Sequence, residues 1–350
     1  MALLGYFRWA FFFTIVGVFM GGAIGWFETR SVTGILKYFF ICCVLGILEI
    51  SLSFDNSIIN ARVLEKMDPL WRRRFLLWGI LIAVFGMRIV FPLLIVAVAV
   101  GISPIAAVKL AIWEPQQYTA ILMDAHVGIA AFGGTFLMMV GLRYFFDPAK
   151  EVHWLTFIEK PAQKFGALVG IDIAVVLTLI LFFSGQIITE DKMIFLFASL
   201  YGLLAFIIVE AIGLLLDTPK TTLTTVTKGG IGAFLYLEFL DASFSFDGVV
   251  GAFAFSHNLF IIAIGLGIGA FYVRSMTIIL VESGILLHYR YLEHGAFYAI
   301  LVLAIIMYLQ TILSVPEVLT GLVGGGIIGM AFCSSLRFKR HQSDRHVVSK

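Results

Sequence analysis

Apolar runs about 20 residues long recur down this 350-residue chain, and about 20 is the length a helix needs to cross the hydrocarbon core of a bilayer. Ten segments qualify or nearly so: 8–27, 34–60, 75–100, 125–146, 169–187, 193–216, 229–255, 259–287, 295–313 and 317–335. The expected fold class is therefore an all-α polytopic membrane protein of about ten transmembrane helices. Residues 103–124, with Lys109, Glu114, Pro115, Gln116 and Gln117, are too polar to span and read as an outer loop. A composition 61% hydrophobic and 13% charged, with a mean hydropathy of +1.02, excludes a soluble enzyme, a DNA-binding protein and a secreted disulfide scaffold. Cys42, Cys43 and Cys333 form no CxxC pair and read as small apolar helix residues.

The basic residues orient these spans. Arg30, Lys37, Lys109 and Lys192 fall on one side of the bilayer, and Arg88 and Arg274 lie within spans. All the other members of the 24 Lys and Arg fall on the opposite side, from Arg8 and the Arg72-Arg73-Arg74 run to Arg337, Lys339 and Arg340 in the tail. That bias predicts both termini in the cytoplasm and an address in the plasma or inner membrane. Residues 1–27 have the length of a signal peptide, but they lack a clear small-residue cleavage site, so a retained helix is expected.

An internal repeat is visible by eye. Leu48-Glu49-Ile50-Ser51-Leu52-Ser53-Phe54-Asp55 in the second span matches Leu240-Asp241-Ala242-Ser243-Phe244-Ser245-Phe246-Asp247 in the seventh, acid for acid and serine for serine. The match resumes in the next spans, where Gly79 to Arg88 aligns with Gly265 to Arg274. The copies lie an odd number of spans apart and so must cross the bilayer in opposite directions. Inverted repeats are typical of secondary transporters, which bind substrate near the midplane between the copies.

The embedded acids are Glu49, Asp55, Glu210, Glu238, Asp241, Asp247 and Glu282, against the embedded bases Arg88 and Arg274. A charge near the bilayer centre costs about 2.5–3.5 kcal/mol on insertion scales. Two arginines neutralise two acids; the rest must be protonated, sit near water or bind cations. At about 100° per residue, Glu49, Ser53, Asn56 and Asn60 form one polar stripe, while Ser51 and Asp55 form a second roughly 140° away. One straight helix cannot aim both acids at one centre. The sequence therefore predicts either unwinding near the two Ser-x-Ser-Phe-Asp segments, eased in the second by Gly248, or two adjacent sites. Oxygen ligands without thiolate or imidazole suit hard ions such as Mn²⁺, Mg²⁺ or Ca²⁺; sodium or protons could use the same oxygens.

Arg88 and Arg274 are expected to pair with acids and balance charge, with gating as a further role. Glu210 and Glu282 read equally as structural carboxylates or pathway residues, and Asp172 as interfacial. The histidines read as peripheral: His153, His341 and His346 in solvated segments, His288 and His294 beside the basic loop, and His257 in an outer loop. Asp124-x-His126 is either a hydrogen-bonded pair at a helix start or a metal antechamber.

At these motifs the sequence resembles the TerC family of integral membrane proteins, over roughly residues 34–146 and 229–287. Leu48-Glu49 through Leu52-Ser53-Phe54-Asp55-Asn56 is similar to that family's first acidic motif, and Leu77-Trp78-Gly79-Ile80 with Ala83 and Arg88 to its next helix. Glu238, Asp241 and Asp247 resemble its second acidic motif, although Gly248 stands where the family usually has serine. The resemblance implies divalent metal export, chiefly of manganese, with links to tellurite resistance. The metal ligands expected are Glu49, Asp55, Asn56, Asp241 and Asp247, with Ser53, Ser245 and Glu238 auxiliary and Arg88 and Arg274 balancing charge. No permanently bound cofactor is expected; the cation is cargo. The bilayer and a metal ion are the expected partners, nucleic acid is not, and a homo-oligomer or membrane complex stays open. The other reading is a non-transporting scaffold for a stress-response complex on the basic face. The expected organisation is 1–33 as first span and outer loop, 34–146 as first repeat, 147–228 as cytoplasmic segment and spans five and six, 229–313 as inverted second repeat, and 314–350 as last span and basic tail.

Overall fold

The structure, a computed structural model, describes residues 2–79, 81–187, 189–216, 230–313 and 315–348. Every regular element among these residues is a helix, with no strand. Helix α1 (Arg8–Thr29) ends where Arg30 turns left-handed at φ 50°. Ser31 then caps α2 (Val32–Leu52) by accepting the Gly34 N–H at 3.0 Å. Helix α3 (Phe54–Lys66) follows, and after a short turn of helix comes α4 (Ile82–Val100).

The segment expected as an outer loop, in part helical, folds into two short helices, α5 (Pro104–Trp113) and α6 (Pro115–Asp124). Each opens on a proline, which suits a first helical turn because its missing N–H would have no partner there. Next come α7 (His126–Phe145), α8 (Thr156–Phe165), α9 (Ile171–Ser184) and α10 (Thr189–Leu216). The second half holds α11 (Ile231–Ala252), α12 (Leu259–Glu282), α13 (Leu292–Gln310) and α14 (Glu317–Val348).

Every segment marked as a span is helical, and eight helices are long and apolar enough to cross a membrane: α1, α2, α4, α7, α10, α12, α13 and α14. The two others fall short for different reasons. Helix α9 has 14 residues, about 21 Å at 1.5 Å per residue, against a hydrocarbon core of about 30 Å. Helix α11 is long enough at 22 residues but carries Glu238, Asp241 and Asp247. The chain is an all-α polytopic membrane protein.

Two packed groups make the interior. One gathers α7, α10 and α13 around Phe136, Leu137, Phe195, Met307 and Tyr308. The other gathers α1, α2 and α12 around Cys42, Leu45, Ile262 and Leu266. Helix α11 serves both, giving Leu240 and Phe244 to the first and Val249 and Ala252 to the second. The repeat copies pack crosswise: α2 and α3 lie on α12, while α11 lies on α4. Each acid-bearing helix thus meets the arginine-bearing helix of the other copy.

The segment between α7 and α9 departs from expectation. Glu159, fully buried, accepts the Trp154 and Leu155 N–H groups and the Tyr298 hydroxyl, and pairs with Lys150 at 2.9 Å. His153 and His294 each place a ring nitrogen 3.5 Å from it. The reading of these two histidines as peripheral is corrected, because a buried carboxylate requires donors and collects them from the loop and from α13. Burial alone pushes Glu159 up, but the Lys150 hydrogen bond, the Leu155 N–H and His294 hold it below the usual carboxylate range. Burial in turn pushes the Lys150 ammonium down, partly offset by Glu159.

Candidate cation site

Glu49 sits on the last turn of α2, where backbone regularity lapses at Ser53 (φ −102°, ψ 15°) before α3 begins. The lapse is slight, since the Ser53 N–H still reaches the Glu49 carbonyl at 2.9 Å. One of the two expected unwindings is therefore present as a bend. In the second copy the first alternative, unwinding, is not taken: α11 runs unbroken past Gly248. In the first copy the bend lets neighbouring turns aim Glu49 and Asp55 at different cavities.

Glu49 lies deep between the copies, 3% exposed, on the face of α2 that meets α12. A Cβ at Gly269 would run into the Glu49 Cβ and Cγ and come within 2.8 Å of the Gly46 carbonyl. Glycine at 269 is what lets the two helices close around this carboxylate. Glu49 Oε1 accepts the Ser53 hydroxyl at 2.9 Å and forms a direct ion pair with Arg88. Its Oε2 faces Gly248, where a Cβ would stand at 3.3 Å.

Arg88 ends a stretch of π-helix, Ile82–Val90, and a second such stretch covers Phe75–Gly79. In a π-turn the ladder shifts from i→i+4 to i→i+5, a local irregularity that often marks functional sites. Both guanidiniums land on carbonyls of these stretches, Arg88 on Ala83 and Arg274 on Phe75 at 3.4 Å. The repeat-equivalent arginines are nonetheless paired differently. Arg88 holds Glu49 directly, whereas Arg274 acts on Asp241 and Glu238 only at longer range, with no ion pair within 4 Å among the described residues.

Asp241, the equivalent of Glu49, is held by an amide instead. Asn60 Nδ2 donates to its Oδ1 at 2.8 Å, and Asn56 lines the same cavity beside it. Asn60 therefore turns its carbonyl oxygen elsewhere. Asn56 Oδ1, Asn60 Oδ1 and Ser245 Oγ are buried with no hydrogen-bond partner, as is Glu238 Oε1. These groups, Glu238 apart, line one cavity with Glu49, Ser53, Arg88, Asp241 and Arg274. The cavity leaves about 60 Å³ for the centre of a water-sized sphere, several times what one water requires. Glu238 does not line it; its Oε1 lies 3.2 Å from where a Cβ at Gly79, on the cavity wall, would stand.

The structure thus brings Glu49, Ser53, Asn56, Asp241, Ser245, Arg88 and Arg274 to one place. Asp55 is elsewhere, in a second cavity with Thr320, Gly248 and Gly324. The backbone of Asp247 lies in α11, but its side chain falls outside the described residues, as do the whole of Lys220, Lys228 and Lys350 and the side chains of His341 and His346. Among the described residues no group of three or more His, Cys, Asp or Glu side chains is placed to hold a metal ion by itself. Two groups escaped the motif reading: Thr277, which lines the first cavity, and Thr320.

The remaining acids have structural partners. Arg143 binds Asp172 at 2.7 Å and Glu210 at 2.5 Å, tying α7 to α9 and α10. Asp172 is buried, 3% exposed, in the first turn of α9. Glu282 accepts the Tyr6 hydroxyl at 2.6 Å. Asp124 is exposed, and no hydrogen bond among the described residues joins it to His126.

Neither the curated proteins nor the solved structures returned a match. The family described as "Protein of unknown function (DUF475)" matches residues 54–342, a stretch that starts at Phe54-Asp55-Asn56 and contains Arg88, Glu238, Asp241 and Arg274. With most of its length matched, this chain belongs to the DUF475 family.

Proposed function

We propose that this protein is a secondary transporter that takes a hard divalent cation, manganese first, into the cavity between its inverted copies and exports it by alternating access. One observation carries the reading: Asn56 Oδ1, Asn60 Oδ1 and Ser245 Oγ are buried, unpartnered oxygens beside the Asp241 carboxylate. Buried acceptors left without donors are destabilising unless something else satisfies them. A cation does so, and an all-oxygen set suits Mn²⁺, Mg²⁺ or Ca²⁺.

Charge fits the same picture. Arg88 neutralises Glu49, leaving Asp241 to face the cargo and the longer-range Arg274. A site with few carboxylates and several neutral oxygens binds weakly enough to let its ion go, which a transporter requires and a store does not. In this scheme Arg274 moves toward Asp241 when the ion leaves and keeps the empty site from carrying bare negative charge in lipid. The resemblance to the TerC family supports manganese over the other hard ions, and the bias of Lys and Arg supports both termini in the cytoplasm; a plasma or inner membrane address is part of the same proposal.

Overexpression in manganese-loaded cells tests it. The wild-type protein should lower cellular manganese severalfold relative to an empty vector, and Asp241→Asn should leave it at the vector level. Equal manganese in wild type and Asp241→Asn contradicts the proposal.

A further inference from the structure

The second cavity lies behind the bend at Ser53, enclosed by α11, α13 and the start of α14. It leaves about 20 Å³ for the centre of a water-sized sphere, room for one water or one dehydrated ion. Asp55, 6% exposed, reaches into it. Its Oδ1 accepts the Asn56 N–H at 2.9 Å, while its Oδ2 points toward Gly324, where a Cβ would sit 3.9 Å away.

Thr320, 7% exposed, faces the same space. A helical threonine ordinarily returns its hydroxyl to the carbonyl four residues back, as Thr14, Thr135, Thr178 and Thr277 do here. Thr320 does not: its Oγ1 is buried with no partner. No lysine, arginine or histidine lines this cavity among the described residues, and Asp55 is its one described carboxylate. Its charge is therefore balanced by a single positive charge, in contrast to the first cavity with its two guanidiniums.

We propose that Asp55 and Thr320 form a second cation site, separate from the first and suited to a dehydrated monovalent ion of the sodium class. Hard carboxylate and hydroxyl oxygens in a space of one-ion size match that chemistry. The glycines at 321, 324 and 325 keep the wall of α14 free of side chains beside the ion. Asp55 and Asn56 are neighbours on α3 yet face different cavities, so an ion in one bears directly on the geometry of the other. The site goes beyond the divalent-cation reading and stands on residues that do not line the first cavity.

Thermal unfolding of the purified full-length protein tests it, with sodium chloride compared against choline chloride and manganese chloride run in parallel. A ligand that binds the native state raises the midpoint in a saturable way. Sodium should raise the midpoint beyond choline in wild type, and Thr320→Val should raise the half-saturating sodium concentration at least tenfold while leaving the manganese response in place. Thr320→Ser, which keeps the hydroxyl, should restore the sodium response. Gly324→Ala, which adds a methyl group beside Asp55 Oδ2, should weaken it independently. A wild-type midpoint indifferent to sodium, or a Thr320→Val protein with wild-type half-saturation, overturns the proposal. A Thr320-dependent sodium shift without any manganese shift sustains this site and removes the divalent reading, whereas manganese shifts alone do the reverse.

Discussion

At the scale of residues, the most instructive comparison is between two acids at equivalent positions of the repeat. Glu49 is paired by Arg88, and Asp241 is held by the Asn60 amide, which leaves its own carbonyl oxygen open. The first arrangement is closed and structural, the second open and receptive. Breaking the closed pair leaves a buried charge without compensation, which typically costs about 3–5 kcal/mol, whereas removing both charges costs much less. Arg88→Met should therefore destabilise the protein by roughly that amount, and Glu49→Gln combined with Arg88→Met by clearly less. Unfolding in a denaturant series measures both; strictly additive losses contradict the pairing. The acids and arginines of this site were legible in the sequence because charges in lipid are costly and here recur in two copies. The unpartnered oxygens were not, because which way Asn60 turns depends on Asp241, far away in the chain.

At the scale of elements, long apolar runs announced the helices, and the double polar stripe on the second span announced either a bend or two sites. The structure has both, the bend at Ser53 and the separate placement of Asp55. Helix α11 runs on unbroken, and Gly248 acts as space beside Glu49 rather than as a break. The π-helical stretches around Arg88 left no mark in composition or periodicity, since one extra residue per turn does not disturb an all-apolar run. The clamp around Glu159 was missed for another reason: Lys150, His153, Glu159 and His294 are unremarkable along the chain and meaningful only once folded together.

That clamp has a defined pH dependence. Glu159 is held below its ordinary range in the folded state, so its contribution is present above the unfolded value and lost as pH falls through the folded one. Hydrogen exchange in residues 150–165, corrected for intrinsic rates, should be slow near neutral pH and rise once the pH drops below the ordinary value of 4.5. Glu159→Gln should exchange fast at both. Protection that is unchanged by acid and by the substitution contradicts the clamp.

At the scale of the whole molecule, the inverted repeat seen in the sequence becomes crosswise packing, each acid-bearing helix lying on the other copy's arginine-bearing helix. The first cavity follows from that exchange, as it uses residues from both copies and from all four of their motif segments. The second cavity could not be foreseen from the repeat, because α13 and α14, which close it, belong to neither motif pair. An interface between copies that are alike in sequence but differently paired is suited to two alternating states. In the state described here Arg88 is engaged and Arg274 is held back. The central claim is that cation passage runs through the first cavity, and manganese flux into proteoliposomes loaded with a manganese-quenched dye measures it most directly. Wild-type protein should quench the dye faster than protein-free vesicles, and Asp241→Asn should reduce the rate to that of protein-free vesicles; wild-type flux in Asp241→Asn would contradict the account.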